Sequence, residues 1–254
     1  MKMPSLFIGH GAPTNALETN AYTKALEKLG KDLPRPEAIL SISAHWMEGG
    51  PRVLLSPHPK TIHDFYGFPE EMYKIEYKAP GAPDKAEAIA KKLGLKTDES
   101  WGLDHGTWSV LVHMYPKADI PVFQLSLDMS LSFEEHLEWG RKLRSFREEG
   151  ILILGSGNLT HNLRKIIWDA GATPESWAVE FDVKAKEALE KRDEKFLTDP
   201  KSWGGHLFRQ AHPTADHYLP LLYALGASTE KDKLTYPYEG FEYGTLSMRM
   251  ARWG

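Results

Sequence analysis

Short apolar runs separated by longer amphipathic stretches make up most of this chain. Such runs, when bounded by polar or glycine residues, are typical of strands that are buried on both faces of a sheet. Four segments fit the pattern, at residues 5–8, 38–43, 121–126 and 151–154. The pattern therefore predicts a buried central sheet that contains these four strands.

The amphipathic stretches carry the start and stop residues of helices. Residues 83–93 open with proline and end before Gly94, and Ser132 is placed to cap a helix that continues to residue 149. Further helices are predicted at residues 20–29, with Gly30 as the stop, at 174–191 and at 218–225. Because helices connect the strands, we predict an α/β fold with a mostly parallel or mixed central sheet flanked by helices.

Composition narrows the possible functions. The 254 residues have a formal net charge of −4, which gives no electrostatic reason to expect binding to nucleic acid or to an anionic membrane. Cysteine is absent, which excludes disulfides, thiolate zinc sites, iron–sulfur clusters and a cysteine nucleophile. No repeat or linker divides the chain, so residues 1–254 are expected to form a single domain. With no signal-like or membrane-spanning pattern, we expect a cytoplasmic protein.

Any metal in such a chain must be held by imidazole and oxygen ligands, and the chain has 11 histidines. Five of them lie in short turns next to predicted elements: His10, His45 and His161 follow strands, and His105 and His217 precede helical stretches. Ligands bind open α/β sheets at the carboxyl ends of the strands, so these side chains are expected to converge there. Imidazole clusters suit Zn²⁺ or Fe²⁺. Each histidine taken alone is better explained as a hydrogen-bonded core or loop residue, and only their expected convergence favours a metal site, which leaves both roles open.

The other histidines give weaker indications. His63 lies in a loop with three aromatic residues, at 65, 66 and 68, which is typical of plain packing or of a lid over a flat aromatic substrate. His136 lies between charged residues of a helix and is expected to be exposed. His113 falls in an apolar helical run, where a satisfied, partly buried histidine is expected, and His58 and His206 have no evident partner.

Motifs for other chemistry are missing. The sequence contains no dinucleotide-binding or phosphate-binding glycine loop, no nucleophile elbow and no His-Glu-x-x-His.

Six ordered motifs resemble those of one known family. They are Gly-His-Gly-Ala-Pro at 9–13, Ser-Ala-His-Trp at 43–46, the segment 63–69, Asp-His-Gly-Thr-Trp at 104–108, the segment 156–162, and His-Tyr-Leu-Pro-Leu-Leu at 217–222. Together they are similar to the class III extradiol ring-cleavage dioxygenases, in the 4,5-DOPA dioxygenase-like branch. The resemblance extends from about residue 4 to the end of the chain.

The resemblance implies a role for each motif residue. His10, His45 and His217 would bind the metal, with His161 as acid/base and candidate fourth ligand. His105 would line the oxygen and substrate pocket as a second catalytic histidine. His63, Trp46 and Phe65 would contact the substrate, and Phe68 and Trp108 are further candidates for the apolar walls.

The resemblance also implies a metal at the strand ends, a reaction and its partners. Fe(II) is expected for activity, because Zn²⁺ has no accessible redox change, and zinc is expected in the protein as isolated. The implied substrates are a catechol and O₂, and the product is a ring-opened semialdehyde. Two alternatives stay open: a zinc hydrolase that uses the same histidines, and a non-catalytic metal-binding protein. The sequence leaves the particular catechol and the oligomeric state open.

Overall fold

A six-stranded mixed sheet forms the centre of the computed structural model, which describes residues 2–169 and 171–254. Its strands are β1 (Ser5–Gly9), β2 (Ala38–Ser43), β3 (Val122–Gln124), β4 (Ile151–Gly157), β5 (Leu234–Thr235) and β6 (Met250–Trp253). Their order across the sheet is β3-β2-β4-β1-β6-β5, with the first four strands parallel and the last two antiparallel to their neighbours. The predicted α/β fold with a mixed sheet is confirmed.

Helices surround this sheet. The α-helices are α1 (Ala21–Asp32), α2 (Pro83–Leu93), α3 (His105–Met114), α4 (Phe133–Leu143), α5 (Ser176–Glu190), α6 (Glu194–Thr198), α7 (Gly205–Ala211) and α8 (Leu219–Ala227). Short 3₁₀ turns lie at Pro13–Leu17, Glu70–Lys74, Arg144–Glu149 and Leu163–Lys165. Helix α8 packs against β4 and β1, α4 packs on α8, and α3 packs against β2 with α1 beside it. No helix in the described part of the chain has the length and apolar character to cross a membrane.

Three pairs of short strands lie outside the central sheet. Arg52–Leu54 pairs with Lys96–Asp98, and Lys60–Thr61 pairs with Gly102–Leu103, both in parallel. Phe241–Glu242 and Leu246–Ser247 form an antiparallel hairpin near the C-terminal end of the chain. This hairpin contacts the site described below.

Local sequence explains where several helices begin. Asn20 caps α1 and Ser132 caps α4, each through a reciprocal capping box, and Pro83 opens α2. Two predicted ends were wrong. Helix α1 runs through Gly30 to Asp32 instead of stopping there, and the helix predicted to reach residue 149 changes to a 3₁₀ turn after Leu143.

Gly30 is required for the close packing of two helices and does not mark the end of α1. A Cβ at Gly30 would overlap the backbone carbonyl of Met114 in α3, so only glycine lets α1 and α3 approach this closely. Glycine is favoured both at the end of a helix and where two helices approach closely. The sequence pattern alone therefore does not distinguish these two roles of Gly30.

The expectation that His136 is exposed was also wrong. His136 is fully buried on the face of α4 that packs against α8, and its Nδ1 lies 3.1 Å from the hydroxyl of Tyr223. The charged neighbours Glu134 and Glu135 point to solvent, whereas Leu137 and Gly140 share the buried face with the histidine. His113 is partly buried and its Nε2 lies 2.8 Å from the carbonyl oxygen of Asn15, as predicted. His58 and His206 are exposed.

Candidate active site

The candidate site lies at the carboxyl ends of three neighbouring parallel strands, β1, β2 and β4, where several of the histidines come together. His10 follows β1 directly, and its N–H donates to the carbonyl of Gly157 at the end of β4. His45 follows β2 by two residues, and His105 is the first residue of α3. The carbonyl of His217 accepts a hydrogen bond from the N–H of Asn158, the residue after β4, at 3.0 Å.

Gly157 permits that last contact. A Cβ at this position would overlap the carbonyl oxygen of His217, so the turn that carries His217 can lie against the end of β4 only if residue 157 is glycine.

The start of α3 is fixed by a buried carboxylate. Asp104 caps α3 by accepting from the N–H of Thr107, and it also accepts from Ser43 at the end of β2 and from Gln124 in β3. Burial raises the pKa of Asp104 from its ordinary value. These contacts join α3 to two strand ends and thereby set the position of His105.

The five imidazole rings are close neighbours. The ring centroids of His10, His45 and His217 are separated by 4.9–5.3 Å. The ring of His105 lies 4.0 Å from that of His45, and the ring of His161 stacks on that of His217 at 3.4 Å and 4°. We call these five residues the histidine cluster.

Within the cluster, the potential ligand atoms form two sets. Ring nitrogens of His10, His45 and His105 lie within 4.8 Å of one another, and so do ligand atoms of His161, Asp216 and His217. The set expected from the resemblance, His10, His45 and His217, draws on both. A ring nitrogen of His105 is therefore as close to those of His10 and His45 as the nitrogens of three ligands to one metal ion would be.

Hydrogen bonds fix the proton of His10 on Nδ1. The hydroxyl of Ser156 donates to the carbonyl of Gly106, so its oxygen is left to accept from Nδ1 of His10, 3.0 Å away. Because a neutral imidazole carries one proton, Nε2 of His10 keeps a free lone pair.

Carboxylates fix the other tautomers in the same way. Asp64 accepts hydrogen bonds from Nδ1 of His105 at 2.9 Å and from the backbone N–H of His105. Its other carboxylate oxygen lies 3.2 Å from Nδ1 of His45, where its negative charge favours a proton on that nitrogen. Asp216 accepts from Nδ1 of His217. Nε2 of His217 is buried and has no hydrogen-bond partner among the described residues.

Burial keeps four of the cluster histidines neutral. It lowers the pKa of His10 and of His217 well below the ordinary value, and neighbouring histidines add to this effect. Burial, reinforced by His105, lowers the pKa of His45 to about 3, and burial lowers that of His161 to about 4. Burial alone would raise the pKa of Asp64, but the side-chain and backbone hydrogen bonds from His105 and the electrostatic effects of His105 and His45 together outweigh burial and bring the pKa to about 2. At neutral pH the imidazoles of His10, His45, His161 and His217 are therefore neutral, and Asp64 is ionised.

This arrangement fits a divalent cation. Nε2 of His10 lies 3.2 Å from Nε2 of His45, and with both protons on Nδ1 neither atom can donate to the other. Facing lone pairs repel each other, and a cation that both atoms ligate converts the repulsion into attraction. Neutral imidazole is the ligand form that Zn²⁺ and Fe²⁺ require, and carboxylates behind the rings hold them in the ligating orientation.

A cavity of about 410 Å³ opens above the cluster. All five cluster histidines line it, together with Asp64. The remaining lining is mostly apolar, and its larger side chains are Pro13, Phe65, Tyr66, Phe68, Leu163, Ile166, Trp168, Tyr243 and Leu246. The shape and chemistry suit a flat aromatic molecule that reaches the histidines with one polar edge.

Three residues expected near the substrate lie elsewhere. Trp46 is buried and stacks on Trp101 with 5.7 Å between the rings. His63 is turned away because its Nε2 lies 3.0 Å from the carbonyl of Ile75, and it lines a separate cavity. Trp108 is fully buried, with its indole N–H donating to Ile62. Of the aromatic residues expected at the substrate, Phe65 and Phe68 line the cavity above the histidines.

Sequence reasoning missed the residues behind and above the cluster. Asp216 stands next to His217 in the chain, a signal that could have marked it as the hydrogen-bond partner of that histidine. Asp64 follows His63 in the chain but contacts His45 and His105, so adjacency gives no such signal for it. Leu163, Ile166 and Trp168 belong to a mixed loop whose sequence gives no such signal.

Comparison with known proteins decides the family. Residues 5–250 match the family model described as the catalytic LigB subunit of aromatic ring-opening dioxygenase. The chain belongs to the LigB family. The family expected from the six motifs is therefore confirmed, and with it the enzyme class, an aromatic ring-opening dioxygenase.

Individual relatives agree with this family. The chain is 46% identical to a protein of Escherichia coli K12 named 4,5-DOPA dioxygenase extradiol, over 97% of this chain and 93% of the relative. It is 37% identical to a Beta vulgaris protein of the same name, over 96% of this chain and 93% of that protein. A crystal structure of an uncharacterized Escherichia coli K12 protein superposes with a TM-score of 0.86 at 42% identity, covering 99% of this chain and 100% of that one. This LigB-family chain thus matches such proteins over nearly its whole length.

Proposed function

We propose that this LigB-family protein opens the ring of a catechol with O₂, next to the two hydroxyl-bearing carbons, to give a semialdehyde. Both oxygen atoms enter the product, so no further reductant is consumed. The observation that carries the proposal is the convergence of unprotonated Nε2 atoms at the floor of an apolar cavity.

His10, His45 and His217 are the proposed metal ligands. Their Nδ1 protons are held by Ser156, Asp64 and Asp216, so each presents a lone pair on Nε2. We propose Fe(II) in the active enzyme and zinc in the protein as isolated, since Zn²⁺ lies above Fe²⁺ in the general affinity order. When bound, the ferrous ion supplies a point of attachment for the catechol oxygens and a path for electrons to O₂.

His161 is the proposed acid/base. Burial lowers its pKa to about 4, so it is neutral at pH 7 and able to accept a proton from a catechol hydroxyl. Its ring lies on that of His217 and lines the cavity, which places it at the edge of the proposed metal site. After accepting the proton it can return it as an acid in a later step.

His105 has a different proposed role. Its Nδ1 donates to Asp64, so its Nε2 faces the cavity as a hydrogen-bond acceptor for a substrate hydroxyl. Phe65 and Phe68 would cover the ring faces and keep water from the reacting carbons. Trp46 and His63, whose contact with substrate was expected, are left out of this proposal because of their positions.

Oxygen consumption tests the proposal directly. Protein loaded with iron under anaerobic conditions and mixed with a catechol is expected to turn yellow when air is admitted, with one O₂ consumed per catechol. A hydrolase or a binding protein would consume none. Absence of O₂ uptake across a panel of substituted catechols, with iron shown to be bound, would overturn the proposal.

Two variants separate the proposed acid/base from the proposed ligands. His161→Phe should retain iron while turnover falls by about 10²–10⁴-fold. His10→Ala should lose the iron itself. If His161→Phe empties the site as completely as His10→Ala, then His161 is a metal ligand, and its proposed role is wrong.

A cytoplasmic location stays a prediction from the sequence. DOPA is one compound for the catechol panel.

A further inference from the structure

Tyr243 has a backbone conformation that is unusual for its residue type. Its φ is +51°, and in the described part of the chain Ala118 and Arg192 are the other non-glycine residues with a positive φ. A bulky L-residue is disfavoured in this left-handed region because its Cβ comes too close to the following carbonyl oxygen. Of these three residues, Tyr243 is the one that lines the cavity above the histidine cluster. An unfavourable backbone conformation thus occurs at the candidate active site, where such conformations often serve a function.

The turn that contains Tyr243 does not itself need a tyrosine. The N–H of Thr245 donates to the carbonyl of Glu242 at 3.2 Å, which closes a β-turn with Tyr243 and Gly244 at its centre. Gly244 also has a positive φ, of +69°. Hairpin turns with two successive positive φ values favour Asn-Gly, because asparagine and glycine adopt this conformation at little cost. The backbone alone therefore favours a different residue at position 243.

Main-chain hydrogen bonds hold this turn in place without the phenol ring. The carbonyl of Tyr243 accepts from the N–H of Ile167 at 3.1 Å, and the carbonyl of Gly244 accepts from the N–H of Glu175 at 2.8 Å. Both contacts are available to any residue at position 243. A substitution there should therefore change the lining of the cavity and leave the hairpin where it is.

The ring of Tyr243 belongs to the aromatic lining of the cavity. It is half-buried, and its centroid lies 5.6 Å from that of Trp168, which also lines the cavity. Phe65 reaches the same space from another loop, with its ring 5.7 Å from that of His105. Aromatic rings gain more from packing on one another than their buried area alone provides. A flat aromatic molecule above the histidine cluster is thus within reach of rings from two separate parts of the chain.

We propose that Tyr243 is a substrate-binding residue, whose ring packs against the aromatic ring of the catechol and orients it toward the histidine cluster. The unfavourable φ is then retained because it directs this ring into the cavity. The inference rests on the proposed catechol function and adds a residue that lies outside the six sequence motifs. The competing explanation is that the ring only supports Trp168.

Binding of 4-methylcatechol to the zinc-loaded protein tests the inference without turnover. Isothermal titration calorimetry should give a Kd for Tyr243→Asn that is at least about 10-fold higher than that of the wild type, a difference of about 1.4 kcal/mol. Tyr243→Phe keeps the ring and should stay within about threefold of the wild-type Kd. The zinc content of the three proteins, measured with a chelating dye, should be the same.

Two results of this titration overturn the inference. One is unchanged binding in Tyr243→Asn. The other is equal weakening in Tyr243→Phe and Tyr243→Asn, which would assign the contact to the hydroxyl instead of the ring.

Stability separates substrate binding from a merely structural role. If the ring mainly supported Trp168, its removal would lower the midpoint of urea denaturation. We expect the midpoint of Tyr243→Asn to equal or exceed that of the wild type, because asparagine is compatible with the positive φ. A lower midpoint together with weaker binding overturns the inference, since both would then follow from a disturbed hairpin.

Ala118→Gly is the matched control for the backbone change. It relaxes the same left-handed conformation at a position outside the cavity lining and should leave the Kd for 4-methylcatechol unchanged. A Kd raised as much as in Tyr243→Asn would show that the effect does not come from the cavity wall, and would overturn the inference.

The outcomes also distinguish this inference from the proposed function. If the iron-loaded wild type cleaves catechols with O₂ while Tyr243→Asn binds 4-methylcatechol as tightly as the wild type, only the inference fails. If the zinc-loaded wild type binds no 4-methylcatechol and the iron-loaded wild type cleaves no catechol, both fail together.

Discussion

Nε2 of His10 lies 3.2 Å from Nε2 of His45, and neither nitrogen carries the proton that would make this contact a hydrogen bond. The single proton of each ring is on the other nitrogen, Nδ1. This atom faces the hydroxyl of Ser156 in His10 and the carboxylate of Asp64 in His45. The two lone pairs therefore face each other, which is the orientation that a divalent cation shared by both nitrogens requires.

Added Zn²⁺ should stabilise the metal-free protein. A ligand that binds only the folded state raises the free energy of unfolding by about 2.7 kcal/mol when its concentration is 100 times Kd. Thermal denaturation should detect this as a clear rise in Tm. His10→Ala should abolish most of that rise, because it removes one lone pair of the facing pair. The exposed His58→Ala serves as the control and should keep it. A rise of the same size in His10→Ala would show that the zinc binds elsewhere.

Asp64→Asn should lower the metal affinity strongly, although it replaces only one carboxylate oxygen by an NH₂ group. The amide presents an NH₂ where one carboxylate oxygen had accepted, so the facing Nδ1 of His45 or His105 meets a donor. That ring must then move its proton to Nε2, on the side of the metal. We expect metal affinity to fall by about 10–100-fold, as measured by competition with a chelating dye.

The exposed Asp84→Asn is the matched control for that variant, since it makes the same chemical change on the first turn of α2. It should leave metal affinity unchanged. Wild-type affinity in Asp64→Asn would mean that the carboxylate does not orient the ligands.

Gly157→Ala should destabilise the fold and separate the strand end from the His217 turn. The added Cβ would overlap the carbonyl of His217, and relieving that overlap costs about 1–3 kcal/mol in an over-packed site. Gly49→Ala makes the same substitution in an exposed position with no atom near the new Cβ. Urea denaturation should show the loss for Gly157→Ala and little change for Gly49→Ala; equal midpoints would contradict the packing argument.

His136 should make the free energy of unfolding depend on pH between about 6.5 and about 4. Burial lowers its pKa to about 4, against the partial opposition of Asp128 and Glu135, so the unfolded chain takes up this proton at a higher pH than the folded one. Stability is then complete above the unfolded pKa and falls as the pH drops toward the folded value. The slope attributable to one such histidine is about 1.4 kcal/mol per pH unit.

His136→Leu should remove that part of the slope when urea denaturation is repeated at several pH values on chelator-treated protein. The exposed His58→Leu is the control and should keep the wild-type slope. An unchanged slope in His136→Leu would assign the pH dependence to other groups.

Sequence patterns predicted the strands well because the central strands are buried on both faces. Each of the four predicted strands is present, although the ends moved: β4 extends to Gly157 and β3 shortens to Val122–Gln124. Strands β5 and β6 were missed because they are short and pair only at the antiparallel side of the sheet. Buried apolar runs are read easily, whereas short edge pairing depends on a partner far away in the chain.

For the site, the sequence indicated which residues converge but not which way their side chains point. His10, His45, His105, His161 and His217 all line one cavity, as their positions beside strands and helices suggested. The orientation of His63 is decided by the carbonyl of Ile75, a tertiary contact that no pattern in the loop announces. The tautomer of His10 depends on Ser156, which lies 146 residues away in the chain.

The strand that carries His10 has one further neighbour, and it comes from the far end of the chain. Strand β6 pairs with β1, the N–H of Gly9 donates to Arg249, and the carbonyl of Ser247 accepts from Asn158 beside the histidine cluster. During synthesis His10 is made early, but the strand that pairs with β1 is made only after nearly all of the chain has been translated. The contacts around His10 are therefore completed late. A growing chain therefore presents only part of the proposed metal site, and we expect the complete site to form only after the C-terminal strand has been synthesised.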